Sequence, residues 1–184
     1  MKVIGSIIAR LGSKRLPYKN ILPFAGVPML GLGIQKLRQA KLVDEIVVST
    51  ESELIARIAK DFGVIALRRP PELAGDKVPS VPVFQHILQN FPGDVHVNFN
   101  VNFPLCDPAV IDRAVEIAIE KGESLSEPVA VWAQTAKCLM NYGDPFNITA
   151  VRFQDDRAGR IDVHTEPELL EVYRIAQGPL SGWN

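Results

Sequence analysis

Short apolar runs alternate along this chain with longer stretches whose apolar residues fall at helical spacing, and this narrows the possible folds more than any other property. The runs Val3–Ile8, Glu45–Thr50 and 64–67 are expected to be the first three strands. Pro28 is placed to begin a helix with Met29, Leu30, Gly33, Ile34 and Leu37 on one face. Ser52 is placed to cap another, in which Leu54, Ile55, Ile58 and Ala59 face inward and which Gly63 ends. Residues 68–80 carry proline and glycine breaks and are expected to cross the surface as a loop. A third helix starts at Ser80 and Pro82 and buries Val83, Phe84, Ile87 and Leu88.

In 95–102, Val95, Val97, Phe99 and Val101 alternate with His96, Asn98, Asn100 and Asn102, giving a strand with one oily and one polar face. Asp107-Pro108 opens a helix to Lys121, stopped by Gly122, and 128–133 is expected to be a strand. Residues 134–146 show no pattern. The segments 148–153 and 160–164 are expected to be strands joined by a turn-rich connection. Thr165-Glu166-Pro167-Glu168 forms a capping box before a final helix, which Gly178 and Pro179 end.

Strands alternating with helices imply an α/β fold, a three-layer α/β/α Rossmann-like mostly parallel sheet, whose ligands collect beyond the carboxyl ends of the strands. The length of 184 residues fits one domain over 1–184. A net charge of -1 argues against a general nucleic-acid or membrane-surface binder. Cys106 and Cys138 lack C-x-x-C spacing and suit a reduced chain, and no leader pattern or membrane-length apolar run is present, so a cytoplasmic protein is expected. His86 and His96 are expected to be structural, and no Ser-His-Asp, Cys-His or zinc spacing occurs.

Against that neutral background the loop after the first strand is strongly basic. Arg10, Lys14, Arg15 and Lys19 surround Gly12 and Ser13, whose backbone N–H groups can turn toward an anion. The order matches neither G-x-x-x-x-G-K-[ST] nor G-x-G-x-x-G. A di- or triphosphate is the ligand such a loop suits.

From Ala9 to Asn20 the loop resembles the N-terminal signature Ala-Arg-x-Gly-Ser-Lys-Arg-Leu-Pro-x-Lys-Asn of the cytidylyltransferases that make CMP-activated acidic sugars, of the acylneuraminate and 3-deoxy-manno-octulosonate types. Arg69-Pro70-Pro71-Glu72-Leu73-Ala74-Gly75-Asp76 resembles their R-P-x-E-L-A-x-D stretch, and Ser80 falls where they carry a serine. The resemblance implies a nucleotide-diphospho-sugar transferase type of fold. It also implies that Ala9, Arg10, Gly12, Ser13, Lys14, Lys19 and Asn20 hold the nucleotide, with Arg10, Lys14 and Lys19 catalytic by neutralising the triphosphate. Arg69, Ser80 and Asn100 would select cytosine, Asn100 standing where the family has glutamine. Ser80 also has a plain reading as a helix cap.

The segment 161–169 resembles the family's D-x-D-T-x-x-D-L, whose two aspartates face a metal. Asp162 keeps the first, His164 replaces the second, and Asn102 stands where the octulosonate enzymes carry a magnesium-binding aspartate. Asp162, with Asn102 and His164 as further candidates, therefore forms the expected metal corner. Magnesium prefers carboxylate oxygens, and the imidazole of His164 opens the corner to manganese. The family's R-P-x-G-A-x-Y arm, which holds the sugar acid and builds a dimer, has no counterpart, so the arm is expected to be reduced or missing around 134–160 and a homodimer is only one option.

The resemblance thus implies transfer of CMP from CTP to an acidic sugar with magnesium or manganese. Two alternatives stand beside it: a catalytically degenerate relative that binds a nucleotide or sugar nucleotide as a binding or partner protein, and a related nucleotidyltransferase with another nucleotide.

Overall fold

The computed structural model describes residues 1–75, 77–142 and 150–177. Nine strands are assigned among them: β1 (Val3–Ile8), β2 (Pro23–Phe24), β3 (Val27–Pro28), β4 (Glu45–Thr50), β5 (Ile65–Arg68), β6 (Val95–Phe99), β7 (Glu123–Glu127), β8 (Val131–Thr135) and β9 (Val151–Gln154). Six helices accompany them: α1 (Met29–Gln39), α2 (Glu53–Asp61), α3 (Ser80–Asn90), α4 (Pro108–Lys121), α5 (Ala136–Met140) and α6 (Glu166–Gln177).

Seven strands share one sheet in the order β5-β4-β1-β6-β8-β7-β9, while β2 and β3 make a separate ribbon. Within it β8 alone runs against the rest, antiparallel to β6 and β7. The sheet is therefore mostly parallel, and its two faces bury different side chains. Ile7, Val97 and Phe99 face α1, α2 and α4 in one core, and Ile4, Val47 and Trp132 face α3 and α5 in the other. Helices on both faces give the three layers that the alternation implies.

Close packing of α1 depends on its glycines. A Cβ on Gly33 would stand 2.7 Å from Val101 and 3.0 Å from Ile7, so the helix reaches β1 and the turn after β6 only without one. α2 starts as expected, Ser52 Oγ accepting from the Ile55 N–H. Leu54, however, is 47% exposed: it falls on the outer side of α2, so it is not one of the inward residues.

Other departures follow from polar side chains that find hydrogen-bond partners the apolar pattern does not reveal. β7 gives no apolar signal, yet its Ser124 hydroxyl donates to the Ala114 carbonyl and its Glu123 accepts from Trp132 and Gln134. These bonds let a polar strand enter the interior. The strand expected at 128–133 begins instead at Val131 and runs on to Thr135, whose hydroxyl accepts from the Cys138 N–H and starts α5 within the stretch that showed no pattern. β6 stops at Phe99, because the Asn100 side chain accepts from the Asn102 N–H and turns the chain.

Residues 160–164 form no strand. Val163 is buried among Leu16, Phe24, Met29, Leu169 and Val172, and this small third core fixes the segment in place of a strand ladder. Asp76, Ile148, Gly178 and Pro179 lie outside the described residues. The two cysteines are free thiols, and among the described residues no helix is long and apolar enough to cross a membrane.

Candidate nucleotide site

Beyond the carboxyl ends of β1 and β6 lies a cavity of about 590 Å³. The basic loop forms one side of it. Ala9 continues β1 by donating its N–H to the Ser49 carbonyl, the Leu11 N–H reaches the Glu51 carboxylate, and the Ser13 N–H turns back to the Leu11 carbonyl. The Asn20 amide nitrogen closes the loop on the Arg10 carbonyl at 2.8 Å. Its Oδ1 is buried and has no partner among the described residues. Held in this way, the loop presents Arg10, Ser13, Lys14, Arg15 and Lys19 to one cavity. Ala9 and Gly12 do not line it, and a Cβ on Gly12 would meet nothing within 4 Å.

Lys19 is the loop's unusual cation. Tyr18 before it adopts a left-handed conformation, φ 60°, which turns Lys19 inward until it is 7% exposed. Its ammonium donates to the Val163 carbonyl at 2.9 Å. Burial lowers its pKa from 10.5 to about 8; Asp162 opposes the fall, and Arg15 and Arg10 add to it. An ammonium kept dry among like charges favours the arrival of a polyanion.

The opposite corner comes from far along the chain. The Val163 N–H donates to the Asn102 carbonyl at 2.9 Å, setting residues 162–164 beside the turn after β6. His164 Nε2 then lies 2.9 Å from Asp162 Oδ1, although that oxygen has no aligned hydrogen-bond donor among the described residues. Glu168 caps the start of α6, accepting from the His164 and Thr165 N–H groups and the Thr165 hydroxyl, and the His164 bond leads in holding its carboxyl below the ordinary range. Asn102 and His164 line the cavity, while Asp162 touches it through His164. The three metal-side candidates are thus brought together without the strand that was to align them. Among the described residues no group of three His, Cys, Asp or Glu side chains could hold a metal ion. Asp162 supplies the one carboxylate, with the Asn102 amide and His164 imidazole as neutral donors. That set fits magnesium only as one or two of its ligands, with substrate phosphates and water completing the shell.

The base-side candidates separate. Ser80 lines the cavity at the first turn of α3, and its side chain makes no capping bond because Pro79 holds the cap position. Asn100 lines it too, but its amide is spent on the Val129 carbonyl and the Asn102 N–H. Arg69 is 7% exposed and does not line the cavity; its guanidinium donates to the Ser49 carbonyl at 2.6 Å and to the Ser49 hydroxyl at 3.2 Å. Burial lowers its pKa, with Glu51 opposing. Arg69 therefore braces the end of β4. Asn98, Phe84 and Trp132 also line the cavity; the sequence gives no sign of this for Phe84 or Trp132. For Asn98 the signal was present, since it shares the polar face of 95–102 with Asn100.

Comparison with known proteins places this chain in a family. The family description "Cytidylyltransferase" matches residues 4–162. The chain belongs to the cytidylyltransferase family. Among curated relatives, N-acylneuraminate cytidylyltransferase of Oncorhynchus mykiss is 33% identical over 117 residues, covering 63% of this chain and 27% of that protein. The 3-deoxy-manno-octulosonate cytidylyltransferase of Chlorobaculum parvum is 32% identical over 124 residues, covering 66% of this chain and 48% of that one. The match thus spans about a quarter to a half of these relatives' length. A solved CMP:2-keto-3-deoxy-manno-octonic acid synthetase complexed with CTP superposes with a TM-score of 0.80 over 96% of this chain and 98% of the other, at 16% identity. That likeness shows the nucleotidyltransferase-type α/β fold; in open α/β sheets ligands collect beyond the carboxyl ends of the strands, which is where the basic loop lies.

Proposed function

We propose that this chain transfers a cytidylyl group from CTP to a hydroxyl of an acidic sugar, of the acylneuraminate or octulosonate class, and releases pyrophosphate. The convergence of Arg10, Lys14, Arg15 and Lys19 on one cavity is the observation that carries the reading. In the reaction the acceptor oxygen bonds to the α-phosphorus as the bond to the β-phosphate bridging oxygen breaks. Such transfers depend on positioning and on neutralising charge. Arg10, Lys14 and Lys19 take the triphosphate, with Ser13 and the backbone of Ala9 and Gly12 completing the loop. Asn20 lines the cavity beside the loop and would face the ribose. Ser80 and Asn100 stand at the base end, and Arg69 serves by holding the β4 terminus. Asp162, with Asn102 and His164, would hold magnesium or manganese, which when bound offsets charge on the phosphate oxygens.

The reading treats residues 1–184 as one nucleotidyltransferase-like unit with a reduced acceptor arm. β8, α5 and β9 occupy most of the described part of 134–160, which supports it.

CTP-dependent pyrophosphate release, measured with magnesium and with manganese over a panel of acidic sugars, tests the proposal. Release is expected, and Lys19→Met should weaken CTP binding about tenfold or more. A second reading is favoured by one observation, the pairing of Asp162 with His164 at a corner holding one carboxylate. It keeps nucleotide binding and gives up turnover. CTP binding with no release would select it, and Asn102→Asp combined with His164→Asp should then raise magnesium-dependent release. A chain that binds no nucleotide would sink both.

A further inference from the structure

Behind the cavity wall runs a hydrogen-bonded line with a fixed direction. Ser6 on β1 is the register partner of Asn98 on β6, and Asn98 is the partner of Trp132 on β8, so their side chains share one face of the sheet. His96, one step earlier on that face, is fully buried and packs its ring 4.6 Å from the Phe84 ring. Its Nε2 lies 2.8 Å from the Ser6 hydroxyl, and that hydroxyl donates to Asn98 Oδ1 at 3.3 Å.

A serine hydroxyl has one proton. Spending it on Asn98 obliges His96 Nε2 to be the donor to Ser6, which leaves His96 Nδ1 as a bare lone pair. That atom is buried without a partner among the described residues. The reverse polarity would strand an N–H at the same place, the costlier arrangement. The line thus pins the Asn98 amide with its oxygen inward and its NH₂ outward. Asn98 is 8% exposed and lines the cavity, and its Nδ2 makes no hydrogen bond with the described residues. Asn100, two positions on, has its amide committed at both ends.

We infer that Asn98, oriented by Ser6 and His96, is the amide that reads the nucleobase, donating its N–H to the unprotonated N3 of a cytosine ring. The inference rests on the cytidylyltransferase reading and adds to it a selectivity device: uracil carries an N–H at that ring position and meets a donor with a donor. Asn98 touches the ligand, while Ser6 and His96 are positioning residues.

Titration calorimetry of CTP and UTP against the whole chain, with no acceptor sugar, tests this in the parent, Asn98→Asp and Ser6→Ala. The parent should prefer CTP. Asn98→Asp replaces the donor by an acceptor and should reduce the CTP/UTP affinity ratio about tenfold or more. Ser6→Ala removes one oxygen, leaves the amide free to flip, and should move the ratio the same way by a smaller factor. A merely structural role would weaken both nucleotides equally; an unchanged ratio in Ser6→Ala, or in a folded Asn98→Asp, overturns the inference and leaves CTP binding intact. Failure of the parent to bind any nucleotide would instead overturn the cytidylyltransferase reading itself.

Discussion

Lys19 carries a conflict that a single residue can report. Its ammonium is held dry at a pKa of about 8, while an unfolded chain would keep the proton up to 10.5. Between those values the unfolded state binds more protons, so stability is expected to rise with pH across that window, and below about 8 the cost of burying the charge is present in full. Nucleotide binding should show the opposite trend. Affinity for CTP is expected to fall as pH rises through about 8, and Lys19→Arg, which stays charged, should flatten that fall. Calorimetric titrations from pH 7 to 9 on both forms check the prediction. An identical slope in the two would place the titrating group elsewhere. The basic character of this loop was plain in the sequence because it needs only local spacing. The bracing role of Arg69 was not, since its partner Ser49 is set by the β4–β5 pairing, which spacing along the chain does not reveal.

At the scale of elements, the turn between β9 and α6 hangs on Asp155. Its carboxylate takes bonds from the Arg157 and Arg113 guanidinium groups and the Arg157 N–H, and the Arg157 carbonyl in turn accepts from Asp107 at the start of α4. Arg157 above all holds its carboxyl well below the usual carboxylate range. A depressed carboxyl stabilises the fold above the ordinary carboxylate pKa and gives that up as pH falls below it. Asp155→Ala should therefore cost about 2 kcal/mol at pH 7 and much less in strong acid, measured by urea unfolding at both. Gly33→Ala is a second element-level change with a definite sign. Alanine is the better helix former by about 1 kcal/mol, yet its methyl would meet Val101 at 2.7 Å, so thermal unfolding should show a net loss. Periodicity revealed α1 to α4 and most strands well, because their burial follows the 3.6 and 2.0 repeats. It was silent on β7, where Glu123, Ser124 and Ser126 make a buried strand through bonds to groups outside the strand. The residues 160–164 misled it: alternation there reflects one buried valine and no ladder.

Across the whole molecule, two large cores build the sheet and its helix layers, and a third, small one joins the basic loop to 161–172. Asp162 and His164 are held beside the cavity by that third core together with the Val163 bond to the Asn102 carbonyl. Val172→Asp, at a fully buried position of α6, should release the helix and its leading segment while the sheet persists. Hydrogen exchange is expected to rise in 161–177 and around Tyr18–Leu22 and to stay low in β1, β4 and β6, with CTP affinity falling in parallel. Rapid exchange through β1 as well would mean that the small core supports the entire fold. The bond from Lys19 to the Val163 carbonyl closes a loop of 144 residues. During synthesis, then, the cationic loop would leave the ribosome 144 residues ahead of the segment that receives Lys19, so ligand capture would wait for that segment to emerge and dock.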